Sequence, residues 1–220
     1  SALTFNKSNC NKVVKDAHVV GISNSVLLFK DQPYSIGNIL EQLKMPLFVK
    51  PNESGSSLGV SKVTSVEALL PAIEKAFNED DQVLIEEFIE GRELTIGVYN
   101  IGGRLQSLPP TEIILGKTAI FDFEAKYQGK SKEITPAQVS ELMAEKIQNA
   151  AKKIYQIFNC SGIVRIDFIY NDEKQEPYML EINTVPGQSA ASVVPQQVRA
   201  KGWTLKDFYS GLIEMALNKQ

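Results

Sequence analysis

The stretch "LFVKPNESGSSLGVSKV", residues Leu47–Val63, sets an alternating apolar run that ends in Lys50 ahead of a loop of small residues, with a second extended run behind it. Two extended segments joined by Gly and Ser make an ordinary turn. The same composition also makes a flap of backbone N–H groups that closes over phosphates. No G-x-x-x-x-G-K-[ST] fits around Gly55 and Gly59, and neither does G-x-G-x-x-G, so the known phosphate-loop patterns do not decide the matter. Both interpretations stay open on this stretch alone, and the choice depends on what the rest of the chain provides.

With 220 residues and 43% hydrophobic content, the chain has enough apolar surface to bury a core, which excludes disorder. A net charge of −3 with lysines dispersed along the chain provides no basic field, so no nucleic-acid partner is expected. Cys10 and Cys160 form no CxxC or Cys/His spacing, which leaves reduced thiols and a cytoplasmic location as the expectation. No apolar run approaches the ~20 residues of a membrane span, and "SALTFNKSNC" lacks the apolar centre of a signal peptide, so no membrane partner is expected. The chain does not open on Met and is expected to be a piece of a longer protein.

Working outward, periodicity predicts a helix over residues 6–18, a strand in "SVLLFK", a helix in "SIGNILEQL", and strands in "PLFVK" and "GVSKV". A helix over residues 65–77 is expected behind a Thr64-x-x-Glu67 capping box, with Pro71 forcing a kink or a later start. Strands follow in "QVLIEEFI", "ELTIGVYN", "LQSLPPTEIIL" and "AIFDFEAKY", then a helix of about six turns over residues 136–158 with apolar residues near the 3.6 period. The strands "GIVRIDFIY" and "PYMLEINTV" precede helices over 189–200 and 204–217. Strand pairs adjacent in sequence imply antiparallel sheets with helices on one face, an α+β fold in two lobes, 1–87 and 88–220, with a loop at 53–59 in the first.

The last strand pair carries the sharpest chemical signal. Alternation puts Arg165 and Asp167 on one face of the first strand, and Glu181 and Asn183 on one face of the second, opposite Leu180 and Ile182. Pairing Asp167 with Glu181 centres the hairpin on Lys174, inside the polar tract "NDEKQEP" where a turn belongs. Three oxygen-bearing side chains beside an arginine suit Mg²⁺ completed by water and phosphate. The competing interpretation is the polar outer face of an edge hairpin. With Lys50 and a carboxylate face both available, the Ser/Gly loop is better read as part of a nucleotide site.

The motifs "PLFVKPNESGSSLGVSKV", "VLIEEFIEGRELTIGV", "FDFEAKY", "GIVRIDF" and "LEINTVPG", in this order, resemble the D-alanine–D-alanine ligases of the ATP-grasp superfamily, and the resemblance covers essentially the whole chain. It implies two α+β lobes gripping ATP, with Lys7 and Lys50 on its phosphates and Ser56 and Ser57 in a loop over them. It further implies Glu86, Phe88 and Ile89 around adenine, Glu93 on ribose, and Asp167, Glu181 and Asn183 holding two Mg²⁺ ions, with Mn²⁺ as a substitute. Lys126 would reach the terminal phosphate, Tyr127 would stand beside it, and Arg165 with the Gly187 N–H would stabilise an oxyanion. Ser192 and Lys126 would bind the carboxylate of the second D-alanine.

The activity so implied joins two D-alanines through a D-alanyl phosphate for peptidoglycan precursor synthesis, in a full-length homodimer. A relative accepting D-lactate or D-serine is the nearest alternative, and a nucleotide-binding module without catalysis a more distant one. Asn6, Asn11, Gln188 and Ala191 depart from the family pattern. Relatives also carry an N-terminal domain of roughly a hundred residues that supplies the first D-alanine site, so this chain alone is expected to bind nucleotide without ligating.

Overall fold

Two antiparallel sheets organise the chain in the computed structural model, which describes residues 1–55, 57–115 and 131–218. The first sheet holds β1 (Ser25–Phe29), β2 (Leu47–Pro51), β3 (Ser61–Val63) and β4 (Gln82–Glu87) in the order β1-β4-β2-β3. Helices α3 (Ile36–Gln42) and α4 (Leu69–Phe77) pack on it. Alternation in β2 sends Leu47 and Val49 into a core with Ile73, Val83 and Ile85, which leaves Phe48 and Lys50 on the opposite face.

The second sheet orders β10 (Glu176–Asn183), β9 (Ile163–Asn171), β5 (Arg92–Ile101), β7 (Thr111–Leu115) and β8 (Ser131–Ile134), and β6 (Arg104–Ser107) also pairs with β5. Helix α5 (Glu141–Ile157) covers it through Met143, Ile147, Ala150, Ala151 and Ile154, the apolar stripe expected of an amphipathic helix. Helices α1 (Ala2–Phe5) and α2 (Lys7–Asp16) belong to the same unit, because Cys10 and Val14 share that core. Helices α6 (Val193–Ala200) and α7 (Leu205–Leu217) close a separate cluster around Tyr99, Leu108, Val198 and Phe208.

Several predicted boundaries move for identifiable reasons. The helix expected over residues 6–18 is α2, preceded by the unexpected short α1, and the two are separate because Asn6 is extended and its side chain accepts the Asn9 N–H at 2.9 Å, capping α2. Helix α4 starts at Leu69 and the Thr64-x-x-Glu67 box caps nothing; Pro71 falls in the first turn, where its missing N–H has no helical partner to lose. Helix α5 starts only after Ser140, whose hydroxyl accepts the Met143 N–H at 3.2 Å, so residues 136–139 lie outside it. The helix expected from residue 189 starts at Val193. The strand predicted in "AIFDFEAKY" lies outside the described residues.

The β9–β10 hairpin pairs Asp167 with Glu181, as its register implied. Met179 nevertheless faces Phe168, the residue after Asp167, so Leu180 is an extra residue and the strand bulges there. Met179 and Ile182, three apart, therefore both enter the core. Leu180 and Glu181 both line the cleft, which corrects the simple alternation that placed Leu180 opposite Glu181.

Candidate functional site

A cavity opens between the two sheets. From the first come Phe48 and Lys50 of β2 and Glu86 of β4, followed by Phe88 and Ile89 of the segment that leads to β5. From the second come Glu93 of β5, Asp167 of β9 and Glu181 of β10. Lys7 enters from the first turn of α2, and Ser57 from the loop. Nine predicted residues thus share one wall system, and the apolar Phe88, Ile89, Ile113 and Ile169 meet in one recess of it alongside Arg92, Glu93 and Glu112.

Lys50 Nζ lies 2.5 Å from Glu86 Oε2, both side chains being nearly buried, and Asn11 Nδ2 donates to Glu86 Oε1 at 2.9 Å. Asn11 stands out in the sequence only as a departure from the family pattern, and its bond to Glu86 depends on a strand 75 residues away. Lys7 Nζ donates to the Ser54 carbonyl at 2.6 Å, tying the helix to the loop. Burial pulls the Lys7 ammonium below its usual pKa, opposed by Glu181 and reinforced by Lys50. Asn6 Nδ2 donates to Glu53 Oε1 at 2.6 Å on the same side.

Asp167 is the centre of the other cluster. Arg165 donates to both its oxygens, at 2.8 and 2.7 Å, and the Thr95 hydroxyl donates to Oδ1. Glu181 Oε1 stands 3.6 Å from the same guanidinium. The adjacent Asp167 carboxylate raises the Arg165 pKa further, so the guanidinium keeps its charge. Thr95 was not predicted, although its place on β5 opposite Asp167 follows from the strand register.

Other predicted residues fall elsewhere. Asn183 pairs with Arg165 across the strands, does not line the cavity, and accepts the Val185 N–H at 3.1 Å. Ser192 occupies the N-cap position of α6 without capping it; its hydroxyl meets Ser189 Oγ at 2.8 Å. A Cβ on Gly187 would come within 2.8 Å of the Ser192 hydroxyl, so the glycine lets the two approach. Ser56, Lys126 and Tyr127 lie outside the described residues.

This geometry can be set beside known proteins. The family model described as "D-ala D-ala ligase C-terminus" matches residues 25–214, which include both sheets and the cavity's strands. The chain belongs to the D-ala D-ala ligase C-terminus family. Its fold is the ATP-grasp fold of that family's solved structures. A D-alanine–D-alanine ligase from Parabacteroides distasonis is 45% identical over all 220 residues of this chain, which span 66% of that relative's length. Among solved structures, the VanG D-Ala:D-Ser ligase of Enterococcus faecalis is 33% identical with TM-score 0.87, covering 97% of this chain and 62% of that one. A D-alanine–D-alanine ligase from Bacillus anthracis, complexed with ATP, is 26% identical with TM-score 0.80, covering 98% of this chain and 66% of the other.

The residues present fit a hard divalent cation that shares its coordination with phosphate. Among the described residues no three His, Cys, Asp or Glu side chains gather into a metal-binding group. Asp167 and Glu181 stand side by side with oxygens only, and two carboxylates completed by water and phosphate suit Mg²⁺. Among the same residues no helix is long and apolar enough to cross a membrane.

Proposed function

We propose that this chain is the ATP- and Mg²⁺-binding part of an ATP-dependent ligase that joins two D-alanines through a D-alanyl phosphate for peptidoglycan precursors. The observation that carries the proposal is the cavity itself, lined by Lys7 and Lys50 and by the paired Asp167 and Glu181, with Arg165 bonded to Asp167 behind them. Cations and carboxylates together are what a polyphosphate and its counter-ion require, since an anionic carboxylate must approach an anionic phosphate. Lys7, Lys50, Ser56 and Ser57 hold the phosphates in this proposal, Glu86, Phe88 and Ile89 the adenine, and Glu93 the ribose. Asp167, Glu181 and Asn183 hold Mg²⁺, which when bound neutralises phosphate charge. Arg165 and the Gly187 N–H face the developing oxyanion, Lys126 and Tyr127 the reacting end, and Ser192 the second substrate's carboxylate.

The proposal also takes the protein to be cytoplasmic and, at the full length of its relatives, a homodimer of two-lobed chains hinged near Glu87 and Phe88. The first strand sheet ends there, which supports the hinge, while α1 and α2 pack with the second sheet. D-Serine as acceptor is the second reading, favoured by the TM-score of 0.87 to a D-Ala:D-Ser ligase. The test is phosphate release by the gene product at its relatives' length, with D-alanine, D-serine or D-lactate as acceptor. Release with D-alanine is expected; release with none of the three overturns the proposal, and release only with D-serine or D-lactate establishes the alternative.

A further inference from the structure

The cavity has an aromatic wall that none of these roles uses. Tyr178 of β10 stands opposite Ile169 of β9, and both line the cavity. Ile169 in turn shares a recess with Phe88 and Ile89, while the Asp167–Glu181 pair lies further along the hairpin. Tyr178 therefore stands on the side of Ile169 and away from the Asp167–Glu181 pair.

Two features hold its ring. The segment at Gly21 runs alongside β10, its N–H donating to the Pro177 carbonyl at 3.1 Å and its carbonyl accepting the Met179 N–H at 3.0 Å. A Cβ built on Gly21 would meet Cδ1, Cε1 and Cγ of Tyr178 at 2.7, 2.7 and 2.9 Å, and these are its three nearest atoms. The backbone of Gly21 is outside the left-handed region, so the ring is what requires glycine here. Lys174 Nζ donates to the Tyr178 hydroxyl at 3.1 Å, which occupies the polar tip. Two residues past Gly21, Ser23 lines the same cavity and donates to the Glu87 carbonyl at 2.6 Å, fastening the strap to the end of β4.

We propose that Tyr178 is the wall against which the nucleobase of a bound nucleotide packs, with Gly21 and Lys174 as positioning residues. This rests on the nucleotide-binding reading above. A ring already fixed on two sides loses little freedom when a flat heteroaromatic base packs on it, so most of the buried apolar area contributes to affinity. With its hydroxyl taken by Lys174, the ring recognises the presence of a base and not its hydrogen-bonding edge.

Calorimetric titration of the 220-residue chain with ATP and with tripolyphosphate, both with Mg²⁺, tests this. Tyr178→Ala is expected to weaken ATP about tenfold and to leave tripolyphosphate unchanged, while Tyr178→Phe, which keeps the ring and loses only the Lys174 bond, falls between the parent and Tyr178→Ala. Gly21→Ala displaces the ring, so it weakens ATP alone and adds nothing in the Tyr178→Ala background. Should Tyr178→Ala not fold, Tyr178→Leu removes the flat ring while keeping apolar volume and is read in the same way. Unchanged ATP affinity in the folded variant, an equal loss for tripolyphosphate, or additive effects of the two substitutions overturn the wall and leave the nucleotide reading standing. A parent chain that binds no ATP overturns both.

Discussion

Glu181 has a side chain that is 38% exposed at the cavity, so it contributes charge and little packing. Glu181→Gln is expected to keep the melting temperature of the parent and to abolish the Mg²⁺-dependent part of ATP binding; ATP titrations with and without Mg²⁺ measure it, and an unchanged Mg²⁺ dependence would remove Glu181 from the metal site. The Lys50–Glu86 pair is the opposite case, with 13% and 9% of the two side chains exposed. Removing one partner of a buried pair strands the other's charge, at a cost of about 3–5 kcal/mol. Lys50→Met is therefore expected to be strongly destabilised in denaturant melts, and Lys50→Met with Glu86→Gln to recover part of the loss; a double variant no better than the single one contradicts the pairing. Lys7 supplies the pH dependence. Its pKa is lowered chiefly by burial, against Glu181, Glu86 and Asp80, which raise it, and with Lys50, which lowers it. Between the folded pKa and the ordinary 10.5 the unfolded chain binds more protons, so the stability penalty of burying this charge is present at low pH and is relieved as pH rises through that window. Phosphate attraction runs the other way, because the ammonium that attracts it is being lost. ATP affinity should fall on raising the pH toward 10.5, and Lys7→Met should flatten that fall; a slope identical in the variant assigns the effect to another group.

At the scale of elements, the described residues of the 53–59 loop are bonded closely at its start and weakly further on. The Glu53 N–H is fixed by Asp80 Oδ2 at 2.6 Å, and Gly59 takes a φ of +70°. Inside, the Leu58 N–H meets the Gly55 carbonyl only at 3.3 Å. Loosely bonded backbone amides exchange fast until a ligand takes them. Hydrogen exchange should therefore slow at Gly55, Ser57 and Leu58 when Mg-ATP is added, while β2 changes less; protection confined to β2 would deny the loop its phosphate role. Such elements were readable from the chain because their determinants are local. Alternation in β2 exposes Lys50 to the cleft, and the polar tract after Tyr170 fixes the Asp167–Glu181 register. What escaped prediction depended on distant partners. The bulge at Leu180 is set by the core positions of Met179 and Ile182 together, and Asn11 acquires its role only when β4 brings Glu86 to it. The Thr64-x-x-Glu67 pattern misled for the same reason, since the packing of Leu69 and Ile73 decides where α4 begins.

Over the whole molecule, the cavity draws Phe48 and Lys50 from one sheet and Glu93, Asp167 and Glu181 from the other, so a ligand bound there is held by both. Each sheet has its own core, one around Leu47, Val49 and Ile85 and the other around Ile96, Ile166 and Phe168. Ligand that binds only the folded state stabilises it by about 2.7 kcal/mol at a hundred times its Kd. Trp203, the sole tryptophan, packs edge-on against Tyr99 and Phe208 in a third cluster that contributes no residue to the cavity. Its fluorescence therefore reports on the second sheet at a distance from the ligand, while exchange at Val83, Leu84 and Ile85 of β4 reports on the first. If ATP is gripped between the sheets, saturating Mg-ATP should move the Trp203 unfolding midpoint upward and slow exchange in β4 by a matching free energy. A shift in one reporter with none in the other would mean that a single sheet carries the nucleotide, and the grip across the cleft would have to be abandoned.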